Sequence, residues 1–213
     1  MDETRLEHGP NGLELRSPSD RPGQGVQAAP FEVVRRGTAG HPLVRVLGSP
    51  PGTVFDATAG FGVDAGVAAH LGFDVTLIER NSDLFTLLED AISTPDGPEE
   101  EAIAARLTLR FGDACELLPT LAPDVLMIDP MFPARRRSSA LPPKPMQRLR
   151  SLLRRTEPDD VLSLLDAAQR SKARRIVLKR PPDVVVSNEL LGTPTFSIET
   201  KLLRWDVWER SVE

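Results

Sequence analysis

A single cysteine, three histidines and the lack of any long apolar run set the first limits on this chain of 213 residues. Cys115 has no partner for an internal disulfide, which fits a reducing, cytoplasmic setting. It reads as a small apolar helix residue, because no histidine that could activate it lies close in sequence. His8, His41 and His70 are scattered and lack companion cysteines at ligand spacing, so no metal site is expected. No apolar segment approaches the roughly 18 residues that a bilayer crossing requires. The acidic N-terminus does not resemble a signal peptide, and no membrane partner is expected. Positive charge is also in deficit: a net charge of −5 argues against a uniformly basic nucleic-acid binder.

The average conceals an uneven layout. Between Ala134 and Arg155 every charged residue is basic, and a second basic cluster runs from Arg170 to Arg180. Acid concentrates in the N-terminal region and between Asp83 and Glu101. Such polarity permits a basic face on an acidic molecule. Arg135, Arg136, Arg137, Lys179 and Arg180 are accordingly expected to border a cleft and contact phosphates; the alternative is a set of solvated surface cations.

What is present is the composition of one folded domain, with 40% hydrophobic and 27% charged residues. Residues 1–30, rich in Gly, Pro, Ser and charge, are read as a flexible N-terminal tail, and 31–213 as the domain. A short helix over 41–48 leads to strands expected at 53–55, 75–78, 107–109, 125–128 and 175–179. Helices are expected between them, over 63–71, from the Asn81 cap onward, over 99–105, to Leu118 and over 158–169. The last two segments, 195–200 and 203–208, alternate like an antiparallel hairpin. The pattern predicts an α/β, Rossmann-like fold: a mostly parallel seven-stranded sheet with an antiparallel C-terminal hairpin. The sequence leaves the oligomeric state open.

The stretch Asp56-Ala57-Thr58-Ala59-Gly60-Phe61-Gly62-Val63-Asp64 reads as strand end, tight turn and helix start. Gly60 and Gly62 let backbone amides approach a ligand, and Asp56 offers a carboxylate to a cation or a hydroxyl. Glu79, nineteen residues past Gly60 at the end of the second strand, can accept bonds from a ribose diol. Asp113 closes the third strand on the same side. Asp129-Pro130-Met131-Phe132 at the end of the fourth suits methylation of an exocyclic base amine. That nitrogen is planar and weakly nucleophilic; a carboxylate (Asp129) and a carbonyl (Pro130) accepting its N–H bonds favour pyramidal geometry, and an aromatic ring (Phe132) fixes the base plane. The expected methyl donor is S-adenosylmethionine, with its adenosine along Glu79 and Asp113 and its amino-acid end near Asp56.

The segments 56–62, 77–81, 128–133 and 177–181 closely resemble, in order and spacing, the ribosomal RNA small subunit methyltransferase J family. The resemblance covers about residues 40–210. It implies a class I methyltransferase fold, S-adenosylmethionine as cofactor, and methylation of a guanosine N2 amine in small-subunit rRNA, free or in an assembling subunit. By that likeness Val63, Asp64, Glu79, Arg80, Asp113, Ala114 and Asp129 fall at cofactor-binding positions, beside Asp56, Gly60 and Gly62. The family usually carries arginine where this chain has Val63, and Ser-Ser where it has Asp113-Ala114. Three other readings stand beside this one: the same chemistry on adenine N6 or on DNA, a nicotinamide-dependent oxidoreductase built on Gly60, Gly62 and Gly66, and a non-catalytic RNA-binding module.

Overall fold

Residues 4–30 depart from the expected tail in the computed structural model, which describes residues 4–132, 142–153, 158–186 and 188–211. Strands β1 (Arg5–Gly9) and β2 (Gly12–Arg16) pair antiparallel, with Gly9 opposite Gly12. Leu15 is fully buried beside Leu84 and Leu87, and Leu13 donates its amide to Asp90 Oδ2 at 3.0 Å. Glu14 accepts from the amides of Gly23 and Gly25 at 2.9 and 3.0 Å, which ties the following loop to the hairpin. The glycines and prolines that read as breakers are the hairpin's turn and the loop's bends. Too few apolar residues alternate here to announce two strands.

Two short helices follow, α1 (Glu32–Arg36) and, inside the segment expected to be helical, α2 (Leu43–Val46). The alternation then runs β3 (Thr53–Asp56), α3 (Val63–His70), β4 (Asp74–Glu79), α4 (Ser82–Ser93), α5 (Pro98–Ala104), β5 (Leu107–Phe111), α6 (Ala114–Leu117) and β6 (Val125–Ile128). Asn81 caps α4 as its residue type suggests, its side chain accepting from the amides of Asp83 and Leu84 at 3.0 and 3.1 Å. The basic, proline-punctuated stretch yields a helix absent from the expected elements, α7 (Lys144–Leu152). After it come α8 (Pro158–Arg170), β7 (Arg175–Arg180), α9 (Asn188–Leu191), β8 (Phe196–Glu199) and β9 (Arg204–Glu209).

The seven strands from β3 onward form one sheet in the order β5-β4-β3-β6-β7-β9-β8. The first five run parallel, and β9 lies antiparallel to both β7 and β8. This is the expected mostly parallel sheet with its reversed terminal hairpin. Every residue of β6 is buried, as a central strand covered on both faces requires. Its side chains alternate between two cores: Val125 and Met127 join Val54, Val177 and Val207 on the face covered by α3, while Leu126 and Ile128 join Ile176, Leu178 and α8 on the other.

This strand order has a functional consequence. The chain builds outward from β3 through β4 to β5, then returns to place β6 on the other side of β3. At such a reversal the loops leaving adjacent strands diverge and a crevice opens at their carboxyl ends. Asp56, Glu79, Asp113 and Asp129 all lie at those ends. Among the described residues no helix is long and apolar enough to cross a membrane.

Candidate functional site

The turn after β3 is built by hydrogen bonds that a strand end leaves free. Asp56, only 4% exposed, accepts from the Thr58 amide at 3.0 Å. Thr58 in turn accepts at Oγ1 from the Asp129 amide at 2.7 Å, so the loops leaving β3 and β6 are bolted together. Glu79, 7% exposed, accepts from Gly60 at 3.2 Å and Asn81 at 2.8 Å. Burial raises the Glu79 pKa above the ordinary carboxylate value, with the Asn81 and Gly60 amides opposing.

The two turn glycines have different jobs. Both have positive φ, 54° at Gly60 and 78° at Gly62. A Cβ on Gly62 would approach a Leu88 methyl to 2.8 Å and Pro30 to 3.4 Å, whereas one on Gly60 would meet only the Thr58 carbonyl, at 3.7 Å. Gly62 is required by packing. Gly60 leaves open space where a ligand can approach the backbone.

Gly60 and Glu79 border a cavity of about 490 Å³ that reaches from β4 across to the loop after β6. One side carries Arg80 and Asp113, paired at 3.1 Å. Asp113 also caps α6 by accepting from the Cys115 amide at 2.8 Å. Although its partial burial works the other way, this amide and Arg80 hold its pKa below the ordinary value. Asp129, Pro130 and Met131 form the far wall, and Leu149, Leu152 and Leu153 of α7 and its end supply an apolar one. The volume suits a nucleoside-sized ligand. Buried Glu79 is an acceptor for hydroxyls, the bare Gly60 backbone admits close approach, and the leucines offer an apolar surface to a planar ring. These features fit S-adenosylmethionine.

Asp129 also belongs to a second, smaller cavity, lined by Asp56, Asp64, Lys179 and Trp205. Lys179 Nζ lies 2.6 Å from Asp64 Oδ2 and 3.0 Å from Asp129 Oδ2. Burial alone would lower the Lys179 pKa, but Asp129 and Asp64 overcome it and hold the amine charged, well above the ordinary lysine value. Enclosure by the protein, joined by Asp64, raises the Asp129 pKa against the pull of Lys179. Its side chain stays 45% exposed, so solvent tempers that enclosure. Asp56 is pushed up to about 7, chiefly by burial, with Asp64 and Asp129 adding to it and the Thr58 amide opposing.

Of the residues singled out from the sequence, Gly60, Glu79, Arg80, Asp113, Ala114, Asp129 and Pro130 meet in the larger cavity. Asp56 and Asp64 sit beside it in the acid and lysine cluster. Val63 opens α3 and lines neither of these cavities. Phe132 is half-buried and packs against the core on the α8 face, so Met131 rather than Phe132 borders the cavity. Arg135, Arg136 and Arg137 lie outside the described residues. Two expected phosphate contacts need correction. Lys179 is held between two carboxylates, and Arg180, its side chain 11% exposed, donates to Asp206 Oδ2 at 2.5 Å and to the Val184 carbonyl. Both charges are already neutralised inside the fold, and a phosphate would have to displace their partners.

The sequence reading missed Thr58, which joins the two loops, and the α7 leucines. The second had a signal: Leu149, Leu152 and Leu153 recur at i, i+3 and i+4, one face of a helix.

Comparison with known proteins agrees with this fold. Residues 25–210 match the family described as "Putative SAM-dependent methyltransferase". A ribosomal RNA small subunit methyltransferase J from Rhodopseudomonas palustris (strain HaA2) is 39% identical over 183 residues, covering 82% of this chain and 81% of its own. One from Pseudomonas paraeruginosa (strain DSM 24068 / PA7) is 37% identical over 181 residues, covering 82% and 67%. Among solved structures, a SAM-dependent methyltransferase from Neisseria gonorrhoeae superposes with a TM-score of 0.71 at 30% identity, over 98% of this chain and 83% of that one.

Proposed function

This chain belongs to the S-adenosylmethionine-dependent methyltransferase family that includes the ribosomal RNA small subunit methyltransferase J proteins, and from that premise we propose that it methylates the exocyclic N2 amine of a guanosine in small-subunit rRNA. The observation that carries the reading is that Asp129 borders the same cavity as Gly60 and Glu79. A donor held by the turn after β3 and an amine held at the end of β6 therefore meet in one crevice.

S-adenosylmethionine, when bound, supplies a methyl group made electrophilic by its sulfonium. Glu79 would accept from its ribose hydroxyls, the Gly60 backbone would admit it, and Arg80, Asp113 and Ala114 would border its adenosine end. Asp129 and the Pro130 carbonyl accept the two N–H bonds of the target amine and turn its lone pair towards the methyl carbon. The amine held by Asp129 and Pro130 would take that methyl group, the carbon–sulfur electron pair staying with the departing thioether. The nitrogen then sheds one proton to the Asp129 carboxylate or to water. Alignment supplies most of the rate.

The reading is tested by incubating the protein with labelled S-adenosylmethionine and small-subunit rRNA, both naked and within subunits, from cells lacking it. Nucleosides are then resolved. Label in N2-methylguanosine is expected. Label in N6-methyladenosine would move the reaction to the adenine alternative, and no label in any RNA would favour the non-catalytic binding module.

A further inference from the structure

The most unusual feature of the site is a lysine with no surface role. Lys179 reaches from β7 under the end of β6, and its side chain is only 19% exposed. It bridges Asp129 of the catalytic corner and Asp64 in the first turn of α3. Asp129 is thus fixed at two points, its backbone amide by Thr58 Oγ1 and its Oδ2 by Lys179. Among the described residues no donor bonds to Oδ1. A carboxylate gripped at one oxygen loses its free rotation, and the other oxygen acquires a defined direction.

We propose that Lys179, braced by Asp64, is a positioning residue that aims the Asp129 carboxylate at the target amine. The inference rests on the reading that Asp129 receives that amine. It follows from geometry: without the bridge, Asp129 would sit on an exposed strand end with one backbone tether, and a carboxylate free to swing spends most of its time misaligned for transfer. Asp64 has the complementary task. Lys179 would otherwise divide its hydrogen bonds among Asp129 and whatever else enters the smaller cavity; held from α3 at 2.6 Å, it presents a fixed donor to Oδ2. Charge supports the same arrangement. Asp56, Asp64 and Asp129 crowd this end of the sheet, with Lys179 among them and His41 close enough to Asp64 and Lys179 for its own titration to respond to both. Lys179, a buried cation among these acids, keeps Asp129 able to accept the amine's N–H bonds.

The test compares Lys179→Met, Lys179→Arg and Asp64→Asn with the wild type for kcat and KM on rRNA, S-adenosylhomocysteine affinity, thermal unfolding and the pH profile of kcat. Lys179→Met is expected to lower kcat by about 10²-fold, within the span of misplacing a catalytic group. KM for RNA and S-adenosylhomocysteine affinity should change less than about threefold. Because Lys179 pulls the Asp129 pKa down, its loss should move the acidic limb of the kcat profile to higher pH, which a merely structural role would not do. Lys179→Arg should restore part of kcat, and Asp64→Asn should fall between. An unchanged kcat in Lys179→Met, or a defect confined to KM for RNA, overturns the proposal. If Lys179→Met does not fold, wild-type kcat in a folded Asp64→Asn variant overturns it instead. A wild type inactive on every RNA would overturn the parent reading, and this inference with it.

Discussion

A Cβ placed on Gly66 would lie 1.6 Å from the carbonyl oxygen of Pro30. The backbone of the N-terminal arm therefore presses directly onto α3, and Ala29 continues the contact by donating its amide to the Phe61 carbonyl at 2.8 Å. In an exposed helix interior Gly→Ala stabilises by about 1 kcal/mol. Here the sign should reverse. Gly66→Ala is expected to cost at least about 2 kcal/mol, because backbone cannot yield as a flexible side chain does. Urea unfolding measures it, and an alanine variant as stable as the wild type would mean the arm is not seated on α3. Gly66 thus belongs to packing, not to the dinucleotide pattern its spacing suggested.

The same contrast between sequence pattern and distant packing holds across the fold. The sheet was legible because β3 to β7 are short apolar runs separated by glycine and by helical periods, and because acids stand at their ends. The cavity's polar half followed from that: Gly60, Glu79, Asp113 and Asp129 are strand-end residues, and a parallel sheet gathers strand ends on one edge. Pairings between distant residues were not legible. Lys179 and Asp64 are 115 positions apart, and nothing in a run of cations marks which one turns inward. The β1–β2 hairpin escaped because its burial rests chiefly on Leu15, and α7 because its prolines and basic residues outweigh three leucines.

Asp56 gives the protein a pH dependence of stability. Its folded pKa, about 7, stands above the ordinary 3.8, so folding takes up a proton. Its contribution is complete below the unfolded value and is lost as pH rises through about 7. Asp56→Asn keeps an acceptor for the Thr58 amide and removes the buried charge. The variant should therefore be more stable than the wild type at about pH 8, by up to roughly 4 kcal/mol, and their difference should shrink towards about pH 4. Denaturation curves across this range decide the matter; a pH slope unchanged by the substitution would place the titration elsewhere.

Asp20 anchors the cavity's apolar wall from outside. Its Oδ1 lies 2.8 Å from Lys144 Nζ and its Oδ2 2.7 Å from an Arg148 guanidinium nitrogen, so one carboxylate of the N-terminal arm grips two turns of α7. Burial opposes ionisation, but Lys144, the Ser17 amide and Arg148 prevail and hold the Asp20 pKa far below 3.8. The grip is therefore intact at neutral pH and is lost only in strong acid. Asp20→Ala should free α7, and with it Leu149 and Leu152, without touching any polar group of the cavity. S-adenosylhomocysteine should bind about tenfold more weakly, equivalent to ~1.4 kcal/mol, by calorimetry. Undiminished affinity would show that the leucine wall stays in place without its anchor.

Asp129 offers the sharpest separation between an enzyme and a binding module built on the same sheet. Its side chain does not hold β6 in place: the strand is fixed by its pairing with β3 and β7, and the loop by the Asp129 amide on Thr58 Oγ1. Asp129→Ala keeps that amide, and Lys179 retains Asp64 as a partner. The fold and the affinity for S-adenosylhomocysteine should therefore survive, and RNA should still bind. What disappears is the acceptor that orients the amine and can take its proton, a contribution of about 10²- to 10⁴-fold in rate. Single-turnover transfer to rRNA should fall by that factor while filter-binding affinity for RNA changes little. Equal losses in transfer and in RNA binding would make Asp129 a docking residue, and unimpaired transfer would move the chemistry away from the end of β6.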